Sequence, residues 1–188
     1  MKKLICFQPN EEAADDRIVR DNMSATMSFK NFTFLNLSCN SITDEGAKIL
    51  SMCSSLKTLV LEDCGIGNDG IKHLLESGTA PHHQLTNLTE LNVSHNKAIS
   101  DDGLELVATH KTLKKLVLSD TVVGDVSAGY ISQSTTLQEV ELDHTKLGNP
   151  GITKILLGID AAPKEENKDV KPEIRSVVMQ TLVRLNIR

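Results

Sequence analysis

The sequence predicts an α/β solenoid, with one short parallel strand plus one helix per repeat and about five full and two partial repeats in a single elongated domain. Two observations carry this. Aliphatic residues recur on a fixed frame, in its clearest copy Leu56-x-x-Leu59-x-Leu61-x-x-Cys64-x-Ile66-x-Asn68-x-Gly70 followed by Leu74. Copies open at Phe32, Leu88, Leu113 and Leu137, with second frame positions at Leu35, Leu91, Leu116 and Val140, so successive copies start 24, 32, 25 and 24 residues apart. Self-similarity at such a period is the mark of a stacked array. Composition agrees, since 188 residues with 39% hydrophobic content and no tryptophan require an aliphatic core. A repeat touches only its neighbours, so stability sums along the stack.

Each element has a physical reason. The alternation in Leu-x-x-Leu-x-Leu has the period of two of a strand, with alternate side chains turned into the stack. Five residues after the second frame position stand Asn10, Asn40, Cys64, Asn96, Thr121 and Thr145. There the chain turns inward, and small polar side chains can satisfy backbone groups that have lost their ladder partners. An apolar residue follows (Ile42, Ile66, Ile99, Val123, Leu147), then Asp44, Asn68, Asp101, Asp125 or Asn149, which read as helix N-caps. Acidic Glu45, Asp69 and Asp102 suit the helix dipole, and Pro150 suits a first turn. Gly46, Gly70, Gly103 and Gly151, with Ser127 in the remaining copy, imply a helix start packed too closely for a larger side chain. Leu50, Leu74, Val107, Ile131 and Ile155 then form the buried helix face.

The chain divides on this frame into a partial repeat or cap (1–31), core repeats (32–157), a flexible charged loop (158–172) and a helix with a terminal strand (173–188). The opening copy is weak (Ile5, Phe7, Asn10), and Glu11 to Met27 is helix-compatible, with Ala14, Ile18, Met23 and Met27 inward. About eight extra residues, Gly78 to Leu85, follow a helix that Gly78 could end. The run from Asp160 to Pro172 is charged and nearly free of apolar residues, so burial cannot offset its ordering entropy. Ile174, Val177, Val178 and Leu182 lie at helical spacing before the closing Leu182, Leu185 and Ile187. With no helix after them, these leave a strand edge expected to self-associate.

Several functions are disfavoured. No stretch reads as a secretory signal or membrane span. A net charge of −5, with Lys114 and Lys115 isolated in the frame, disfavours nucleic acid, which needs a basic stripe. Cys6, Cys39, Cys53 and Cys64 lack C-x-x-C spacing, and a reduced, cytoplasmic setting is the simpler reading. His82 and His83 lack zinc spacing. His95 and His144 share a frame position two strands apart, roughly 10 Å, too far for one metal. No nucleophilic triad or phosphate loop converges, so no enzyme, no cofactor and no metal are expected.

The run from Ile42-Thr43-Asp44-Glu45-Gly46 through Cys53-Ser54-Ser55-Leu56-Lys57-Thr58-Leu59-Val60-Leu61-Glu62-Asp63-Cys64 resembles the leucine-rich repeat superfamily. Within it, the cysteine-containing subclass of F-box receptors and the ribonuclease-inhibitor-like subclass both fit. The resemblance implies a horseshoe scaffold whose concave sheet binds proteins, and it implies no enzyme. The side chains flanking the buried leucines should form that face: Phe34, Asn36, Thr58, Val60, Glu62, Glu90, Asn92, Lys115, Val117, Glu139, Glu141 and Asp143. Seven strands make it roughly 30 Å across, a span for a protein rather than a metabolite. Its carboxylates outnumber Lys115, so a partner with a basic patch is expected. Three functions follow: an interaction module or scaffold in a cytoplasmic or cytoskeletal assembly, the substrate-recognition part of a ubiquitin ligase lacking its F-box, and a regulator of a small GTPase.

Overall fold

Seven short strands pair in parallel, and in the sheet they stand in the order in which the sequence supplies them: β1 (Lys3–Leu4), β2 (Phe34–Asn36), β3 (Thr58–Val60), β4 (Glu90–Asn92), β5 (Lys115–Val117), β6 (Glu139–Glu141) and β7 (Arg184–Asn186). The structure, a computed structural model, describes residues 32–76 and 85–157 and the backbone of residues 3–4 and 184–186. The expected cap over 11–27, most of the insertion after Leu75, the charged 160–172 run and the helix before the last strand lie outside these residues. Frame positions pair with frame positions from Leu35 through Leu59, Leu91, Leu116 and Val140 to Leu185; at the opening strand the partner of Leu35 is Leu4, one residue before the Ile5 that the weak first copy predicts. From Leu35 to Val140 this row is fully buried, and each such aliphatic side chain contributes about 1.5–3 kcal/mol.

Beyond β2, β3, β4 and β5 the ladder continues for two more bonds, as in Leu37 N–H to Val60 C=O (2.9 Å) and Cys39 N–H to Glu62 C=O (2.8 Å). The chain then turns through a left-handed residue in every full repeat: Cys39, Asp63, His95, Asp120 and His144, with φ between 51° and 62°. No glycine marks this turn, and a non-glycine residue there costs about 1–2 kcal/mol. The turn drives the next side chain into the coil, as the spacing predicts, and Asn40, Cys64, Asn96 and Thr121 are buried. Asn96 is the most connected. Its Oδ1 accepts from the N–H groups of Cys64, Gly65 and Ile66 (3.1, 2.8 and 3.0 Å) and its Nδ2 donates to the carbonyls of Leu61, Val93 and Ser94 (2.8, 2.9 and 3.1 Å). The Cys64 thiol donates to Leu37 C=O, and Thr121 and Thr145 donate to Leu118 and Leu142 C=O.

Helices α1 (Asp44–Leu50), α2 (Asn68–Leu75), α3 (Asp125–Gln133) and α4 (Asn149–Leu157) back the sheet. Two expectations need correction. The Asx residues are not the N-caps of their own helices. The cap lies one residue earlier, at Thr43, Gly67 and Gly124, and at Ser100 before the 3₁₀ turn that opens at Asp101. The side chains of the first four instead reach across to the following repeat: Asp44 Oδ1 accepts from Gly67 N–H (2.7 Å), Asn68 Oδ1 from Ser100 N–H (2.8 Å), Asp101 Oδ1 from Gly124 N–H (2.6 Å) and Asp125 Oδ1 from Gly148 N–H (2.7 Å). The caps are thus inter-repeat bonds, which explains the small residue three positions into the next helix. A Cβ at Gly70 would meet Asp44 Oδ1 at 2.5 Å and Ile66 Cγ2 at 2.6 Å. Where serine replaces glycine, Ser127 turns the contact into a hydrogen bond from its hydroxyl to Asp101.

Secondly, the third full repeat has no α-helix. Two 3₁₀ turns, Asp101–Gly103 and Glu105–Thr109, take its place. Its buried side chains Leu104, Val107 and His110 recur every three residues, the period of a 3₁₀ helix, whereas the α repeats also bury positions four apart, such as Ile71 and Leu75.

Candidate functional site

The concave surface is a grid fixed by strand register. One row runs Phe34, Thr58, Glu90, Lys115, Glu139, and the next Asn36, Val60, Asn92, Val117, Glu141. A third row, one step past the strands, is Ser38, Glu62, Ser94, Ser119 and Asp143. The sequence-expected face residues are therefore neighbours on one surface, and all are partly exposed except Val117, which is 8% exposed. Its neighbours in the row are Asn92 and Glu141.

The charges are arranged more specifically than their signs imply. Lys115 Nζ lies 3.0 Å from Glu139 Oε1 and 2.8 Å from Glu141 Oε1. The hydrogen bond with Glu141 raises the Lys115 pKa against partial desolvation, with Glu139 adding to the effect. The acidic excess at β6 is thus half answered from within. Thr58 donates to Glu90 Oε2 (3.3 Å). Asn36 and Asn92 behave as a matched pair. Each Oδ1 accepts from the N–H and hydroxyl of the serine two residues on, Ser38 at 2.9 and 2.7 Å and Ser94 at 3.0 and 2.6 Å. That clamp fixes which way each amide faces.

At the strands' C-terminal ends, His95 lies between Glu62 Oε1 (3.6 Å from Nε2) and Asp120 Oδ2 (3.7 Å from Nδ1), and Lys97 Nζ lies 3.5 Å from Asp120. Sequence reasoning missed this cluster because its members come from three repeats. The available signal was that His95 and Asp120 share a frame position in neighbouring repeats, next to that of Glu62. Among the described residues no three His, Cys, Asp or Glu side chains converge to hold a metal, and no helix is long and apolar enough to cross a membrane. Cys39 and Cys64 are free thiols, Cys39 exposed and Cys64 buried, and Cys53 is buried as well. The expected self-association of the C-terminal strand falls on a segment of which only the backbone of Arg184–Asn186 is described.

A family model described as Leucine Rich repeat matches residues 30–51, 53–75, 84–108 and 133–156. The chain belongs to the leucine-rich repeat family. Among curated relatives, leucine-rich repeat-containing protein 42 of Xenopus laevis is 32% identical over 135 residues, covering 70% of this chain. A mouse protein named for its NACHT, LRR and PYD domains (protein 14) is 30% identical over 145 residues, covering 69%. The chain spans 30% of the length of the first and 14% of the second. Among solved structures, internalin C2 of Listeria monocytogenes aligns with 95% of this chain and 78% of its own, at 16% identity and a TM-score of 0.45. Leucine-rich repeat proteins are in general non-enzymatic interaction modules, and the grid suits such a role.

Proposed function

We propose that this chain is a non-enzymatic protein-binding module that docks a basic patch of a partner protein on its concave face. The observation that carries this is the grid itself. A row of Val60, Asn92 and Val117 is bordered by carboxylates on both sides, Glu90 and Glu139 along one edge and Glu62 and Asp143 along the other. Val60 and Asn92, partly exposed in that middle row, offer contact area, while the bordering charges steer encounter with a cationic partner. The buried free thiol of Cys64 supports a reducing, cytoplasmic setting.

The test is reversal of Glu90, Glu139 and Glu141 to lysine, singly and together, with Glu45→Lys on α1 as the control for each single reversal away from the sheet. Partners captured by the parent from native lysate should be lost with the triple variant and kept with the control, at an unchanged melting temperature. Capture that survives the triple reversal overturns the reading.

A further inference from the structure

The turns that lead into β3–β6 carry the opposite character to the face they border. They span 54–57, 86–89, 111–114 and 135–138, and they hold Lys57, Lys111 and Lys114 but no carboxylate. The repeat frame predicts Lys114 to be isolated. The structure corrects this, because folding sets Lys111 and Lys114 in one open depression of about 380 Å³ with Thr89, Thr135 and Gln138. Among the described residues neither lysine forms an ion pair, although Lys115, the next residue, is held by two glutamates on the concave side.

The framework of this rim is fixed. Its threonine hydroxyls are already spent between repeats: Thr89 donates to Lys57 C=O (3.0 Å), Thr112 to Leu88 C=O (2.8 Å) and Thr136 to His110 C=O (2.9 Å). The donors left over are the two ammonium groups, the Thr135 hydroxyl and the Gln138 amide. Four donors and two positive charges around one depression call for a ligand group that is rich in acceptors and close to doubly negative. A phosphoryl group meets both conditions, with about −1.5 to −2 charge and three acceptor oxygens, whereas a carboxylate offers one charge and two oxygens.

We infer that this rim depression binds a phosphorylated side chain of a protein partner. The inference does not rest on the concave-face reading. The carboxylates of that face repel the same group, which confines a phosphorylated segment to the rim.

The experiment is an amide NMR titration of the full chain with a short alanine-flanked phosphoserine peptide, its unphosphorylated form, inorganic phosphate and a random-sequence oligonucleotide. The phosphopeptide should give saturable shifts at Lys111–Lys114 and Thr135–Gln138, and the unphosphorylated peptide none. Lys111→Glu or Lys114→Glu should each weaken binding by roughly fivefold, the double reversal should abolish it, and Lys114→Arg should retain it. Both lysines are exposed, so the spectrum elsewhere should stay in place and report an intact fold. Glu90→Lys should leave the rim shifts unchanged, which keeps this outcome separate from that of the concave face. No saturable shift with the phosphopeptide would overturn the proposal. So would inorganic phosphate binding as tightly as the peptide, or the oligonucleotide binding more tightly than either.

Discussion

Replacing Asn96 by leucine, its near-isostere, should be among the most damaging single changes in this chain, and the structure sets the size of the effect. The side chain is 1% exposed and its amide serves six backbone groups, three N–H and three C=O, drawn from two repeats. A carbonyl retains a second lone pair, so the penalty is set chiefly by the N–H groups of Cys64, Gly65 and Ile66. At ~2 kcal/mol for each orphaned buried group the gross loss is ~6 kcal/mol. Burying leucine returns ~2 kcal/mol, leaving a net destabilisation of ~4 kcal/mol, a large share of the 5–15 kcal/mol of a typical domain. Thr121→Val is the natural control, because its hydroxyl makes a single bond, to Leu118 C=O (2.6 Å), and its loss should cost ~1 kcal/mol. In urea unfolding followed by circular dichroism, with a slope of ~2 kcal/mol per molar, the midpoints should fall by ~2 M and ~0.5 M. Equal shifts for the two variants would refute the view that Asn96 organises the turn of the neighbouring repeat.

Other consequences follow from the same geometry. Gly70→Ala should lower stability by about 1–3 kcal/mol, since its Cβ collides with Asp44 and Ile66, and calorimetry showing an unshifted melting temperature would contradict the inter-repeat cap. His110 is buried, and its Nδ1 accepts from Leu113 N–H (3.2 Å). Desolvation lowers its pKa from the ordinary 6.5, so the unfolded chain takes up its proton first. Stability is therefore full above about 6.5 and declines as pH falls toward the folded value. His110→Asn should flatten that part of the pH–stability curve, and an unchanged slope would show that His110 is not its source. The Cys64 thiol is pushed up to about 11, chiefly by burial, while Cys39 is exposed. Iodoacetamide should label Cys39 in the native protein and Cys64 only after denaturation, as read by peptide mass mapping. Comparable native labelling of the two would argue against the burial of Cys64.

Much of the architecture was legible because the repeat states each layer several times. The recurrence of Leu59, Leu91 and Leu116 gave strand positions and register, and with them the face residues from Phe34 to Asp143. The inward polar position was legible too, because a buried turn has few ways to satisfy its backbone. The Asx positions were half legible. Aspartate before a glycine announces a helix start, but which helix its carboxylate caps depends on the distance between neighbouring coils, and that is a tertiary quantity. The left-handed turn left almost no trace, since cysteine, aspartate and histidine fill it and the strain is borne by hydrogen bonds from the next repeat.

The sequence by itself therefore determined the period, the burial of the leucine rows and the membership of the concave face, all of which are local patterns repeated at a fixed interval. Tertiary structure decided how charges answer one another across that interval. Lys115 is neutralised by Glu139 and Glu141 from the next strand, whereas Lys114, one residue earlier, turns to the rim and joins Lys111 without a carboxylate. Two adjacent lysines receive opposite environments because Lys115 opens β5 and stands in the concave row, whereas Lys114 closes the turn before the strand and is exposed at the rim, and only the stacked neighbours settle what waits on each.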